Sequence, residues 1–316
     1  MECSIKIKKT ILVISVIILI VLSSVILFFL SKNGIISDYK YTLNRGPFKF
    51  TITLTEYVGD KEEVRIPGRI GLLRVAFIEP EVFNDNADIT HIYVSKNVNM
   101  EGTLFCRRMP NLVYVEFEEG LETVSAWFVN SKNLKEIKLP QSVEDVVLEL
   151  EGCDQIKGID YPKNVKRINA PGIDGTPFKN KIKSYKYYVI GSNVLLSYNG
   201  SENEIVIPQG IKVLPAFVIP DDSETVISAI YMPESLTYMA LPEIANENTM
   251  LYVGSNELEV YCTWRKYAGT IVAPAGSPME MYCKENDIKF RPMTDEEEKI
   301  WREKTEAAAS EITYQE

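Results

Sequence analysis

A hydrophobic phrase of the form Leu-x-x-Ile-x-Leu-Pro-x-x-Val-x-x-Val/Ile recurs along the chain and limits the possible folds more than any other feature. The phrase begins at Leu112, Leu134 and Ile156, so it returns every 22 residues. A fixed period of this length is typical of a solenoid, in which each unit buries its apolar edge only against the next unit. We therefore predict a repeat solenoid that is mainly β and is built from short parallel strands.

The residues between the apolar positions of each phrase should point outward, because successive side chains of a strand alternate between its two faces. Neighbouring strands lie about 4.8 Å apart, so outward residues of successive phrases should stack. These residues form the candidate partner-binding surface: Tyr93, Tyr114, Glu116, Lys138, Asp160, Tyr231 and Tyr252. The alternative is a solvated ladder without a ligand, in which Glu116, Lys138 and Asp160 alternate in charge and stabilise one another weakly.

Residues 11–30 are twenty in number, and their only polar members are Ser15, Ser23 and Ser24. At about 1.5 Å per residue a helix of this length spans the hydrocarbon core of a bilayer. We predict an uncleaved transmembrane signal anchor, because the apolar run is longer than that of a usual signal peptide and no small-residue cleavage pattern follows it. Lysines in residues 1–10 place that end in the cytoplasm and the body of the chain outside. The alternative is a protein secreted after signal cleavage.

The remaining chain divides at changes of pattern. A connector is expected over 31–49, a first repeat block over 50–170, a β-rich interruption over 171–200, a second repeat block over 201–292 and an acidic helical tail over 293–316. The tail opens with Thr294 and Glu297 in the spacing of a capping box. It has few apolar residues, and it either docks through Ile300 and Trp301 or frays. A short helix is expected over 279–286.

The repeats resemble the leucine-rich repeats of the BspA-like family of bacterial surface proteins over roughly residues 50–292. The resemblance rests on the lead-in Val64-Arg65-Ile66-Pro67, on the Leu-x-x-Ile-x-Leu-Pro phrases, and on Gly175-Thr176-Pro177-Phe178 with the β-rich stretch after it. The resemblance implies an exported binding scaffold, in some members linked to adhesion. It transfers no catalytic residues, because the family shares none.

Charge and motif content argue against most other functions. The formal net charge of −10 is unfavourable for binding nucleic acid, which requires clustered Lys and Arg. His91 is the only histidine, so multi-histidine zinc sites are excluded and any His-activated nucleophile would have to use it. No phosphate-binding glycine motif is present. We therefore predict no catalytic residues, no cofactor and no metal ion.

Two further features of the sequence each allow two interpretations. The oxygen-rich stretch 84–88 could bind calcium, but it lacks the glycine and distant glutamate of a known calcium loop and is better explained as a polar corner. Cys262 and Cys283 are about one repeat apart and could form a disulfide or remain separate buried thiols.

The functional expectation is a membrane-anchored extracellular repeat protein that binds protein or glycan partners over its strand face. The alternative is a structural, envelope-associated module with no diffusible ligand.

Overall fold

The computed structural model describes residues 33–45, 50–100, 102–168, 172–216, 218–219, 226–242, 246–261 and 267–315, together with Ile14 and Ile17. Within these residues no helix is long and apolar enough to cross a membrane. The predicted transmembrane segment 11–30 lies outside the described residues except for Ile14 and Ile17.

The chain enters the solenoid through a small sheet, where the sequence had indicated a connector over 31–49. Strands β1 (Asn33–Ile36) and β2 (Tyr39–Arg45) pair antiparallel, and β2 pairs antiparallel with β3 (Phe50–Tyr57). The connector prediction was wrong, because Tyr39, Tyr41 and Leu43 alternate with polar residues and bury one face of β2. Strand β3 then pairs in parallel with β6 (Leu73–Ile78), and β5 (Arg69–Ile70) borders β6.

The first repeat block consists of two parallel sheets, which we call its front sheet and its back sheet. The front sheet contains β4 (Glu63–Ile66), β7 (His91–Val94), β9 (Tyr114–Phe117) and β11 (Glu136–Lys138). The back sheet contains β8 (Leu104–Phe105), β10 (Thr123–Trp127), β12 (Asp145–Glu149) and β13 (Arg167–Ile168). The predicted solenoid of short parallel strands is thereby confirmed.

The strand register reproduces the sequence period. Glu136 pairs with Tyr114, a step of 22 residues, and the phrase-opening residues Leu112, Leu134 and Ile156 are completely buried. Asparagine side chains connect the corners: the Nδ2 atoms of Asn111 and Asn133 donate to carbonyl oxygens of the preceding turn, each at 2.7 Å. The apolar edge of every turn therefore packs on its neighbour, and polar corners complete the backbone hydrogen bonding.

The interruption between the blocks contains a helix that the sequence analysis did not predict. Thr176 caps α1 (Pro177–Ile182), with proline at the first helical position, a combination that favours helix initiation. An antiparallel pair follows, β14 (Tyr187–Ile190) with β15 (Val194–Tyr198). The expected β-rich character of this stretch is thus correct for its second half.

The second block repeats the two-sheet arrangement. Its front sheet runs through β16 (Glu204–Val206), β18 (Ala229–Met232), β20 (Met250–Val253), β22 (Thr270–Ala273) and β23 (Lys289–Pro292), all parallel. Its back sheet continues from β15 through β17 (Val213–Leu214), β19 (Tyr238–Ala240) and β21 (Glu259–Tyr261).

The chain ends in two helices and a strand. Helix α2 (Pro278–Glu285) confirms the short helix expected near 279–286. Helix α3 (Asp295–Ala308) begins with the predicted Thr294–Glu297 capping box, and a single 3-10 turn follows it. Strand β24 (Ile312–Tyr314) then adds to the back sheet of the second block beside β14. We call residues 293–315 the C-terminal strap, because they pass from the front sheet of that block to its back sheet.

Candidate functional site

The outward residues of the first-block front sheet form one continuous group. The register pairs His91 with Tyr114, and it pairs Arg65, Tyr93, Glu116 and Lys138 in a second row. We call these six residues the front patch: Arg65, His91, Tyr93, Tyr114, Glu116 and Lys138. Four of them belong to the predicted partner-binding surface, and the structure brings those four together.

The centre of the front patch is aromatic. The Tyr93 and Tyr114 ring centroids lie 6.1 Å apart, and the His91 ring lies 5.7 Å from that of Tyr114. The Arg65 guanidinium lies 5.7 Å from the Tyr93 ring centroid, within the range of a cation–π contact. All three rings are half-buried, so each presents part of its surface to solvent. Rigid amphipathic rings of this kind are common anchors of protein interfaces.

The charged margin of the front patch is held by hydrogen bonds. Glu116 accepts from Lys138 Nζ at 2.7 Å and from the Tyr114 hydroxyl at 3.1 Å. The Lys138 ammonium lowers the pKa of Glu116, and the Glu116 carboxylate raises the pKa of Lys138. Burial, followed by the bond to Glu116, raises the pKa of Tyr114 to about 12. The hydroxyl of Tyr114 therefore stays protonated at neutral pH and is oriented by Glu116.

The predicted charge ladder does not extend to Asp160. Strand β11 is the last strand of the first-block front sheet, and residues 159–161 form no strand. Gly158 takes the position that Glu136 holds one turn earlier, and a glycine within a strand weakens it. After β13 of the back sheet, the chain forms helix α1, which offers no partner strand to the front sheet. Asp160 is exposed and makes no ion pair with any described residue, so its predicted stacking with Lys138 is wrong.

The two later tyrosines of the predicted surface lie in register with each other, and Tyr231 is closed to solvent. The rings of Tyr231 and Tyr252 stack with centroids 4.7 Å apart and planes 7° apart. Tyr231 is only 6% exposed, and Tyr252 is half-buried. The expectation of an exposed ring is therefore wrong for Tyr231, whereas Tyr252 keeps part of its surface exposed. Helix α3 lies over them.

Contacts from the C-terminal strap to the second-block front sheet are apolar, polar and ionic. Trp301 is 1% exposed and donates its indole N–H to the Met232 carbonyl at 2.7 Å. Lys304 Nζ lies 4.2 Å from the Tyr231 ring centroid and bonds Glu204 at 2.5 Å. The Tyr252 hydroxyl donates to Glu297 at 3.4 Å. Docking through Trp301 confirms one of the two predicted outcomes for this helix, whereas Ile300 is 39% exposed and contributes less.

The oxygen-rich stretch 84–88 acts as a corner. Asn86 Oδ1 accepts from two backbone N–H groups at 2.9 Å each, and Asn84 Oδ1 accepts from the Arg107 N–H at 2.9 Å. Asp85 forms a two-bond pair with Arg108, which lowers the pKa of the Asp85 carboxyl. These oxygens already have protein partners. Across the described ranges, no group of three or more His, Cys, Asp or Glu side chains is arranged to hold a metal ion.

Three of the five cysteines lie among the described residues. Cys106, Cys153 and Cys283 are buried free thiols, and burial raises the pKa of each. Cys262, the predicted alternative partner of Cys283, lies outside the described residues, and Cys283 is a free thiol.

Sequence reasoning missed Arg65 and an aromatic pair on the back sheet of the first block. Phe105 and Trp127 are in register, with ring centroids 5.2 Å apart, and Trp127 is 36% exposed. Their spacing of 22 residues, equal to the repeat period, is the sequence signal that places them on one row.

Stacked two-sheet turns with a repeat of about 22 residues define the class of this protein as a parallel β solenoid of leucine-rich-repeat type. Solved structures to which the chain is similar include proteins described as leucine-rich. A leucine-rich-repeat protein of Treponema pallidum is 14% identical, covers 82% of this chain and 98% of its own, and gives a TM-score of 0.27. One from Bacteroides ovatus is 16% identical over 76% of this chain and 70% of its own, with a TM-score of 0.32.

A leucine-rich cell surface protein of Faecalibacterium prausnitzii is 12% identical over 86% of this chain and 98% of its own, with a TM-score of 0.33. No protein-family model matches the chain, and no curated protein matches it.

Proposed function

We propose that this protein is a surface-displayed interaction scaffold whose front patch binds a protein or glycan partner. The observation that carries the proposal is the open front patch: two tyrosine rings and a histidine ring lie together, half-exposed, between Arg65 and Lys138. Interaction hot spots commonly contain aromatic rings next to charged groups that can form new ion pairs with a partner.

The second block indicates what kind of occupant suits such a front sheet. There the stacked tyrosines accept a helix that supplies an apolar anchor, Trp301, and a cation, Lys304. Acidic residues of the solenoid, Glu204 and Glu234, meet basic residues of the helix. The front patch likewise has acidic neighbours, including Glu118. This parallel favours a protein segment that presents an apolar side chain and a basic group.

The experiment is to apply the labelled full chain to an array of extracellular proteins and glycans. The variant Tyr93→Ala/Tyr114→Ala should lose most binding to any partner that is retained by the wild type. Trp127→Ala is the matched control, because it removes a comparably exposed aromatic ring from the opposite sheet. Binding that survives the double substitution, or that is lost in the control, would contradict the assignment to the front patch. If no partner is retained at all, the alternative of a structural envelope module is favoured.

The proposal includes anchorage through residues 11–30 with the repeat body outside the cell. Its support is the length and apolar composition of that segment. Protease added to intact cells should remove the repeat body and leave an N-terminal fragment protected. Protection of the whole chain would indicate the reverse orientation, and a mature chain that begins after residue 30 would indicate a cleaved signal peptide.

A further inference from the structure

A cleft of about 350 Å³ opens where the first-block front sheet ends. The turn at 158–160 forms no strand, helix α1 packs beside it, and strand β24 of the C-terminal strap closes the other side. Its volume lies within the roughly 300–1,000 Å³ of small-molecule sites. The residues that matter here are Asp160, Lys181, Tyr185, Tyr188, Tyr314 and Gln315.

The cleft contains the most exposed tyrosines of the described chain. Tyr185 is 37% exposed and Tyr314 is 51% exposed, whereas the other tyrosines whose side chains the structure describes are half-buried or buried. The two residues are far apart in sequence and come from different elements. Tyr185 also lies against Tyr188, with ring centroids 5.7 Å apart and planes 32° apart. Exposed aromatic surface, whose hydration is unfavourable, is therefore concentrated in this concave cleft.

Polar groups with unused bonding capacity line the same cleft. Gln315 Oε1 is buried and accepts no hydrogen bond from any described residue. A buried acceptor without a partner is unfavourable, so a ligand donor that reaches it gains the bond without displacing another. Lys181 and Asp160 form no ion pair within the described residues, although Lys179 and Lys186 nearby do. The cleft thus offers a carboxylate, an ammonium group and an amide oxygen that are not already committed to the protein.

We propose that this cleft binds a short saccharide. A sugar ring presents an apolar C–H face, which suits the tyrosine rings, and hydroxyl groups at its edge. Those hydroxyls can donate to Asp160 and Gln315 and accept from Lys181. A phosphorylated ligand fits less well, because the single cation, Lys181, shares the cleft with a carboxylate. A purely apolar ligand would leave the charged groups and the Gln315 oxygen without partners.

This site is separate from the front patch, so it does not depend on the function proposed above. Neither tyrosine pair contributes to the other site. Loss of saccharide binding and loss of partner binding can therefore be separated by substitution.

The test is saturation-transfer-difference NMR on the full chain with glucose, galactose, N-acetylglucosamine, cellobiose, lactose and chitobiose as probes. At least one probe should give a transfer signal. Tyr314→Ala and Tyr185→Ala should each weaken its binding by about tenfold, the effect of losing one aromatic anchor. Tyr114→Ala is the matched control and should bind that saccharide as the wild type does.

Asp160→Asn keeps the shape of an exposed side chain and removes its charge, so it tests the polar half of the cleft without threatening the fold. It should also weaken binding, and thermal melting of each variant shows that the fold is intact. The proposal is overturned if none of the six probes binds, or if Tyr114→Ala and Tyr314→Ala weaken binding equally.

Discussion

The two repeat blocks present the same front sheet to different surroundings. In the first block, Tyr93 and Tyr114 are half-exposed and only neighbouring side chains contact them. In the second block, Tyr231 and Tyr252 stack face to face under helix α3. The sheets are built alike, so the difference arises from the C-terminal strap and not from the repeats. Outward aromatic residues of this solenoid can therefore serve either as internal packing or as a free surface, and the repeat sequence alone does not distinguish these roles.

The largest effect is expected when the anchor of the strap is removed. Trp301→Ala should lower the free energy of unfolding by about 4 kcal/mol, because it deletes a buried ring and its hydrogen bond to the Met232 carbonyl. Urea denaturation measures the loss, and hydrogen exchange should show faster exchange along α3. Ile300→Ala, at an exposed neighbouring position, should change stability by less than about 1 kcal/mol. Equal losses in the two variants would mean that Trp301 does not anchor the helix.

A second prediction compares tyrosines of the two blocks directly. Tyr231→Ala should cost about 3 kcal/mol, because the ring is stacked on Tyr252 and covered by Lys304. Tyr93→Ala should cost under about 1 kcal/mol, because its ring is only half-buried. Thermal or urea unfolding of both variants gives the comparison. If Tyr93→Ala is as destabilising as Tyr231→Ala, the front patch is part of the core and the proposed binding role is undermined.

The sequence predicted the repeat, the inward residues and the neighbours of Tyr93 correctly, because a period of 22 is a local property that each turn repeats. It predicted the stacking of Asp160 on Lys138 incorrectly, because that stacking requires each residue to lie on a strand of the front sheet. Gly158 weakens the strand that would contain Asp160, and helix α1 offers no partner strand beyond it. The covering of Tyr231 could not be predicted. Trp301 marks α3 as a docking helix, but its contact with Met232 spans 69 residues and no local pattern indicates which sheet it meets.

The third prediction concerns acid stability of the strap. The two bonds from Arg291, together with the bonds from Thr294, lower the pKa of Glu297 from its usual 4.5 to about 2. A depressed carboxyl pKa stabilises the folded state above pH 4.5, and this contribution is lost as the pH falls toward 2. Glu297→Gln should remove about 1 kcal/mol near neutral pH, the size of a helix cap, and should flatten the acid dependence of the melting temperature.

Glu296→Gln is the control for acid stability, since its exposed side chain is on the same helical turn. It should retain the steep loss of stability in acid that the wild type shows. If Glu297→Gln and the wild type lose stability in parallel between pH 4.5 and 2, then the Arg291 pair does not hold α3 in place.

The smallest effect is a change in titration that leaves the fold intact. Burial and then the Glu116 carboxylate raise the pKa of Tyr114 to about 12. Glu116→Gln should therefore lower that pKa and leave it above 10, because the larger contribution of burial remains; NMR of ring-labelled tyrosine measures the midpoint. Burial is also the largest cause of the raised pKa of Tyr252, but there α3 provides much of the cover. Trp301→Ala should consequently lower the pKa of Tyr252 and leave that of Tyr114 unchanged, whereas a shift of both would mean that the two front sheets are not independent.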